Sequence, residues 1–307
     1  MKKMLSKIQG QKKVKSFLQG IKHTGRIAHA YLFAGAPAVG KFTTALAWGK
    51  LLNCLNPIVK EEPCGECLSC RKIEREVHPD FVKIIPDGKK IKINQIRELK
   101  KDLRYGPSEA KWKIVIIDPA DALTTEAANS FLKLLEEPLP RVILILISAN
   151  ISSLLPTIRS RCQQINFEPL TEVEIQPILI NNFGFTADQA QLAAQNSGGL
   201  LQEAVLWQKE EIKDLLHRLE NTSFKNIFNC LDISKDLMAN KELIPSILSL
   251  FLQQAFKARR WPVVNLILET LAALRYNVNA SLLIETFLMR LGELKSDKAL
   301  PQAQQAF

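Results

Sequence analysis

Four cysteines and one glycine-rich loop carry the spacings in this sequence that can do chemistry. Cys64, Cys67 and Cys70 are each separated by two residues, and Cys54 precedes them with nine residues between. Thiolates at this spacing can close a tetrahedral shell of four sulfurs, and Gly65 permits the tight turn between ligands. Such a shell is expected to hold structural zinc, because it leaves no open position for a reacting water. Unpaired cysteines and an iron–sulfur cluster are the alternatives, and nothing around the site suggests electron transfer. Cys162 and Cys230 stand apart and read as small apolar residues.

The loop is Gly35-Ala36-Pro37-Ala38-Val39-Gly40-Lys41-Phe42. It meets the phosphate-loop pattern G-x-x-x-x-G-K-[ST] up to the last position. Backbone amides of residues 36–41 and the Lys41 ammonium can cradle phosphates. Phe42, however, replaces the hydroxyl residue that would coordinate Mg²⁺, and Thr43 and Thr44 belong to other faces of the following helix. Asp118 ends an apolar run, the Walker B setting in which a carboxylate holds Mg²⁺ through water. The next position, where an acidic base would polarise the attacking water, is Pro119. Asp121 is expected to project elsewhere. These two losses fall on opposite sides of one site, and each lowers phosphoryl-transfer rates by orders of magnitude. The retained Gly35, Gly40, Lys41 and Asp118 therefore read as a vestigial nucleotide site that maintains the fold, with at most weak nucleotide binding and no hydrolysis.

The elements that must position these groups alternate as far as residue 167. The helical spacing of Ile8, Val14, Phe17, Leu18 and Ile21 predicts a lead-in helix over 6–26. Strands are expected at 29–35, 80–86, 111–118, 142–148 and 163–167. Helices are expected at 43–52, at 94–105 with Asn94 as N-cap, at 125–136 and at 153–160. Alternation of this kind argues for a parallel α/β sheet covered on both faces. After Phe167-Glu168-Pro169 no strong strand signal follows. Three helices over 171–207 are broken at Gly184 and Gly198-Gly199, and about five amphipathic helices fill 208–300. The expected division is an α/β domain over 1–167 with the cysteine module at about 54–75, a small helical unit over 168–207 and a larger one over 208–307.

Composition sets the outer bounds. The 307 residues are 47% apolar and 23% charged, ordinary values for a globular chain. The net charge of +10 suggests a polyanionic neighbour such as nucleic acid. There is no run apolar enough to span a bilayer and no signal-peptide core after Met1, so a cytoplasmic location with reduced cysteines is expected. A nucleic-acid-binding zinc ribbon is disfavoured, since Glu61, Glu62, Glu66, Glu74 and Glu76 flank the cysteines against Arg71, Lys72 and Arg75.

Several motifs together resemble the clamp-loader ATPases of the AAA+ superfamily found in bacterial DNA polymerase III. They are His29-Ala30-Tyr31-Leu32-Phe33 before the loop, the four-cysteine module and His78-Pro79-Asp80. Further on come the stretch from Ala127 to Pro138 and the stretch from Leu154 to Cys162, which ends in Ser160-Arg161-Cys162. The resemblance covers residues 29–162. It implies a RecA-like module with inserted zinc, a three-helix lid and a helical collar that mediates oligomerisation.

The family contains longer gamma/tau subunits that hydrolyse ATP and a branch with a degraded nucleotide site. Phe42, Pro119, the lack of a tail beyond the collar, and Gly199-Leu200-Leu201-Gln202-Glu203 where active relatives carry a second-sensor arginine all favour the degraded branch. Ser148 falls at the first-sensor position. The resemblance then implies a role for Arg161 as an arginine finger acting in trans on a neighbouring ATPase subunit. It also implies a hetero-oligomer with gamma/tau and delta subunits that loads the sliding clamp onto primer-template DNA. No intrinsic ATPase is expected; the link to nucleotidyl transfer is by membership of the polymerase holoenzyme. A gamma-type ATPase with an atypical loop is the alternative.

Overall fold

The structure, a computed structural model, describes residues 5–58, 62–224, 226–274, 276 and 278–296. Glu61, named above among the acids flanking the cysteines, lies outside the described residues. The chain divides into two compact units, Met1–Leu170 and Thr171–Phe307.

The first unit is built on five parallel strands, β1 (Ala30–Ala34), β2 (Phe81–Ile84), β3 (Lys113–Ile117), β4 (Val142–Ser148) and β5 (Gln163–Asn166). Their order across the sheet is β2-β3-β4-β1-β5. Every residue of β1, β3 and β4 is buried, which is why these strands read as unbroken apolar runs rather than alternating ones. On one face Leu32, Val115 and Leu144 pack with Ile96, Leu99, Phe131 and Leu135 from α4 (Ile93–Leu103) and α5 (Thr125–Glu136). From the other face Tyr31 meets Trp48 of α2 (Lys41–Asn53) edge-on, with ring centroids 4.8 Å apart. Gly49 lets α2 lie this close, because a Cβ there would come within 2.7 Å of the Phe81 ring. This is the parallel α/β sheet covered on both faces that the alternation of elements predicts.

Local chemistry moves some element boundaries. The lead-in helix α1 is Lys12–Thr24, and a separate 3-10 turn covers Leu5–Lys7. Gly10 and Gln11 adopt positive φ values of 67° and 52°, which breaks the expected single helix over 6–26. The N-cap of α4 is Lys92 and not Asn94; the Gln95 side chain accepts the Lys92 amide at 3.0 Å. An additional helix, α3 (Leu68–Glu74), runs through the cysteine module. The short helix α6 covers Pro156–Arg159.

The second unit is all-helical: α7 (Glu172–Phe183), α8 (Ala187–Asn196), α9 (Leu201–Leu206), α10 (Glu210–Asn221), α11 (Ile227–Ala239), α12 (Ile244–Lys257), α13 (Trp261–Ala273) and α14 (Ala280–Ser296). Ile212, Leu216, Leu248, Phe251, Ile267, Phe287 and Leu291 form one core through α10–α14. Both α8 and α9 pack on α12, so the three short helices and the five longer ones share this unit.

Candidate functional site

The phosphate loop joins β1 to α2, and its backbone keeps the turn that the glycines were expected to allow. Gly35 lies at φ +152°, where a Cβ would come within 2.5 Å of the Phe167 carbonyl, so no larger residue fits between β1 and the end of β5. Gly40 is left-handed at the N-cap of α2. Lys41 is 93% buried, its exposure being 7%. Its Nζ donates to the Gly35 and Ala36 carbonyls at 2.6 and 2.5 Å. Burial lowers its proton affinity, and Asp118 and Asp121 oppose that shift.

Across the loop stands Asp118, whose amide donates to the Ile84 carbonyl at 3.1 Å. Burial pushes its carboxyl up, Lys41 and Lys83 pull it down, and Asp121 adds to the rise. Asp121, in the 3-10 turn Ala120–Ala122, acts electrostatically on both Lys41 and Asp118. Asp121 accepts the Ala149 amide at 3.4 Å. Phe42 stands where the Mg²⁺ ligand would be, and the Lys83 ammonium lies 4.3 Å from its ring centroid. The sequence reading missed Lys83; the available signal was a single lysine inside the apolar strand β2. Pro119 follows Asp118 with no acidic group of its own, and the peptide bond between them is cis. The buried Ser148 hydroxyl accepts the Asn150 amide at 3.1 Å and is thus already engaged.

Arg161 lies just beyond α6, in the turn leading to β5. One guanidinium nitrogen pairs with the Glu136 carboxylate at 3.0 Å. The other donates to the Thr157 carbonyl at 3.1 Å and the Ser160 hydroxyl at 3.4 Å. The side chain stays 37% exposed, so it is oriented by its own chain yet reachable from outside. Arg159 is exposed as well. Burial raises the neighbouring Cys162 thiol to about 12, consistent with an apolar role.

The sulfurs of Cys54, Cys64, Cys67 and Cys70 all lie within 4.8 Å of one another. A tetrahedral zinc shell with Zn–S near 2.3 Å needs edges of about 3.8 Å, so the set fits. Cys54 follows the end of α2, Cys67 caps α3 and Cys70 sits in its first turn. Gly65 is left-handed, φ 71°, as the turn between ligands requires. Amides of Cys64, Glu66, Cys67 and Cys70 donate to sulfurs at 3.2–3.5 Å, which favours thiolates. For Cys64, burial works against ionisation but the Glu66 and Cys67 amides and the neighbouring thiols prevail, bringing it down to about 7. Burial pushes the Cys54 and Cys70 thiols up, and Cys67 and Cys54 add to the rise at Cys70; a bound cation would offset this cost of ionising them.

The His78-Pro79-Asp80 motif ties this module to the sheet. His78 accepts the Asp80 amide on Nδ1 at 3.0 Å, which leaves Nε2, 3.4 Å from the Ser69 hydroxyl, as the protonated nitrogen. Asp80, fully buried, accepts amides of Ser108, Glu109 and Ala110 at 2.6–2.7 Å. A basic face also emerges on α4 and α5: the Lys100 ammonium is disfavoured by burial and by Lys133 and Arg97 close to it. No helix among the described residues is long and apolar enough to cross a membrane.

Residues 10–171 match the family described as DNA polymerase III, delta subunit. The delta-prime subunit of DNA polymerase III from Bacillus subtilis is 36% identical over 204 residues, covering 66% of this chain and 61% of that protein. The gamma subunit from Buchnera aphidicola of Schizaphis graminum is 35% identical over 169 residues, covering 55% of this chain and 46% of that protein. In both matches the chain spans less than two thirds of the relative's length. A gamma-subunit-related protein of Thermotoga maritima aligns with a TM-score of 0.49 at 20% identity, covering 91% of this chain and 99% of that one. With more than half of its residues inside the family match, the chain belongs to the DNA polymerase III delta-subunit family.

Proposed function

We propose that this chain is a non-hydrolysing, delta-prime-type subunit of the DNA polymerase III clamp loader. It joins gamma/tau and delta subunits in a cytoplasmic hetero-oligomer that places the sliding clamp on primer-template DNA. It takes no part in nucleotidyl transfer except as a member of the holoenzyme. Its helices α7–α9 act as a lid and α10–α14 as an oligomerising collar, with the α/β unit as the RecA-like domain. Zinc held by Cys54, Cys64, Cys67 and Cys70 has a structural role.

The observation that carries this reading is the pairing of Phe42 with Lys83 opposite Asp118-Pro119, in a loop whose Lys41 is bound to its own carbonyls. Neither a magnesium ligand after Lys41 nor a base after Asp118 is available, so phosphoryl transfer lacks two of its parts. The functional arginine is Arg161, which neutralises charge developing on the γ-phosphate of an adjacent ATPase subunit. Glu136, Thr157 and Ser160 support that role by restricting the guanidinium before the neighbour docks.

Similarity to gamma subunits at 35% identity favours a second reading, an ATPase with an atypical loop. An ATPase assay separates the two. The purified chain alone should show no turnover above background. Arg161→Ala should leave it folded but lower the DNA-stimulated ATPase of the reconstituted complex by about 10³-fold at the affected site. Robust turnover by the chain alone, abolished by Lys41→Ala, would establish the second reading instead.

A further inference from the structure

We propose that Lys83 is a tethered cation that stands in for the divalent metal of a nucleotide site. A metal between the phosphate loop and β3 needs a hydroxyl oxygen after Lys41 and a carboxylate at Asp118. Phe42 offers no lone pair, yet its ring does not face an empty space. Lys83 reaches over it from β2 with its ammonium 4.3 Å from the ring centroid. The register of the sheet makes this possible: β2 and β3 are parallel neighbours, Lys83 lies opposite Ile116, and the Ile84 carbonyl accepts the Asp118 amide at 3.1 Å. The root of the lysine is therefore one residue from the strand position that meets the carboxylate.

Charge balance points the same way. Two acids, Asp118 and Asp121, act on Lys41. The Lys41 ammonium is already committed to the Gly35 and Ala36 carbonyls. Lys83 supplies a second positive charge, and Glu76 at 3.7 Å is its other anionic neighbour. An aromatic face and a carboxylate are both good surroundings for an ammonium, and the ring is a poor one for Mg²⁺, which demands oxygen ligands. Phe42 and Lys83 thus read as one substitution in two parts: the metal ligand is lost and a side-chain cation takes its place. The module then keeps its loop, its strand and its carboxylate in register without metal.

A stability cycle on the full chain, with and without millimolar MgCl₂, tests this independently of any role in trans. Lys83→Met should lower the folding equilibrium constant roughly threefold, the scale of a half-exposed ion pair. Lys83→Arg, which keeps the charge, should not. In an Asp118→Asn background the Lys83→Met loss should shrink to the part owed to Glu76 and the Phe42 ring. Mg²⁺ should raise the melting temperature of Lys83→Met, where it can reach Asp118 and Asp121, and leave the wild type unchanged. The proposal is overturned by an undiminished loss in the Asp118→Asn background, by an equal loss in Lys83→Arg, by Mg²⁺ stabilising the wild type, or by Lys83→Met remaining insensitive to Mg²⁺.

Discussion

Asp80 shows how much a single buried carboxylate can organise. Burial raises its proton affinity, but three amides from the 108–110 turn outweigh that and hold it below the usual carboxylate range. Its folded value is depressed, so its contribution is full above the unfolded value of about 3.9 and is lost as pH falls through the folded value. Asp80→Asn should cost about 1–3 kcal/mol at neutral pH, because the amide group cannot accept three donors. The variant should also lack this part of the acid destabilisation. Urea unfolding from neutral pH down to mild acid measures both. The motif His78-Pro79-Asp80 was visible in the sequence, but its reason was not: the three amides lie 28–30 residues away. Distance along the chain likewise hid Lys83, whose ring partner Phe42 belongs to α2.

Among the elements, α3 decides the cysteine module. Cys67 is its N-cap and accepts the Cys70 amide, so the proposed metal ligation would use the same sulfur as helix initiation. Cys67→Ser should release zinc and lower the melting temperature, since ligation energy is folding energy in such modules. Metal content by absorption spectrometry and a thermal melt follow it; a variant that keeps its zinc and its melting point refutes the four-sulfur assignment. The grouping of the four cysteines was legible from spacing alone because neighbours so close in sequence meet through local turns. The helix through it was not, since its seven residues carry weak periodicity of their own.

For the whole molecule, the net charge of +10 acquires a location. Arg97, Lys101 and Arg104 are exposed on and just after α4, and Lys100 and Lys133 lie close enough to repel each other. If this face meets the phosphates of primed DNA in the assembled complex, each residue neutralised should reduce the slope of log affinity against log salt by about 1. Arg97→Ala with Lys101→Ala, compared with wild type in a salt titration of the reconstituted complex, checks this; an unchanged slope removes α4 from the DNA path. Arg161 is pinned by Glu136 at the C-terminal end of α5.

The sequence by itself determined the α/β order, the all-helical remainder, the grouping of four cysteines, the departure of Phe42 from the phosphate-loop pattern and the choice of Arg161 as the arginine to test. These are carried by periodicity and by short spacings, which depend on a few neighbouring residues. Only the tertiary structure decided what stands in the broken site. Lys83 and Asp121 both act on the Asp118 carboxyl, Lys83 from the parallel neighbour strand β2 and Asp121 from the 3-10 turn after Pro119. Strand register brings together residues far apart in sequence, and no local pattern encodes which lysine will lie over which ring.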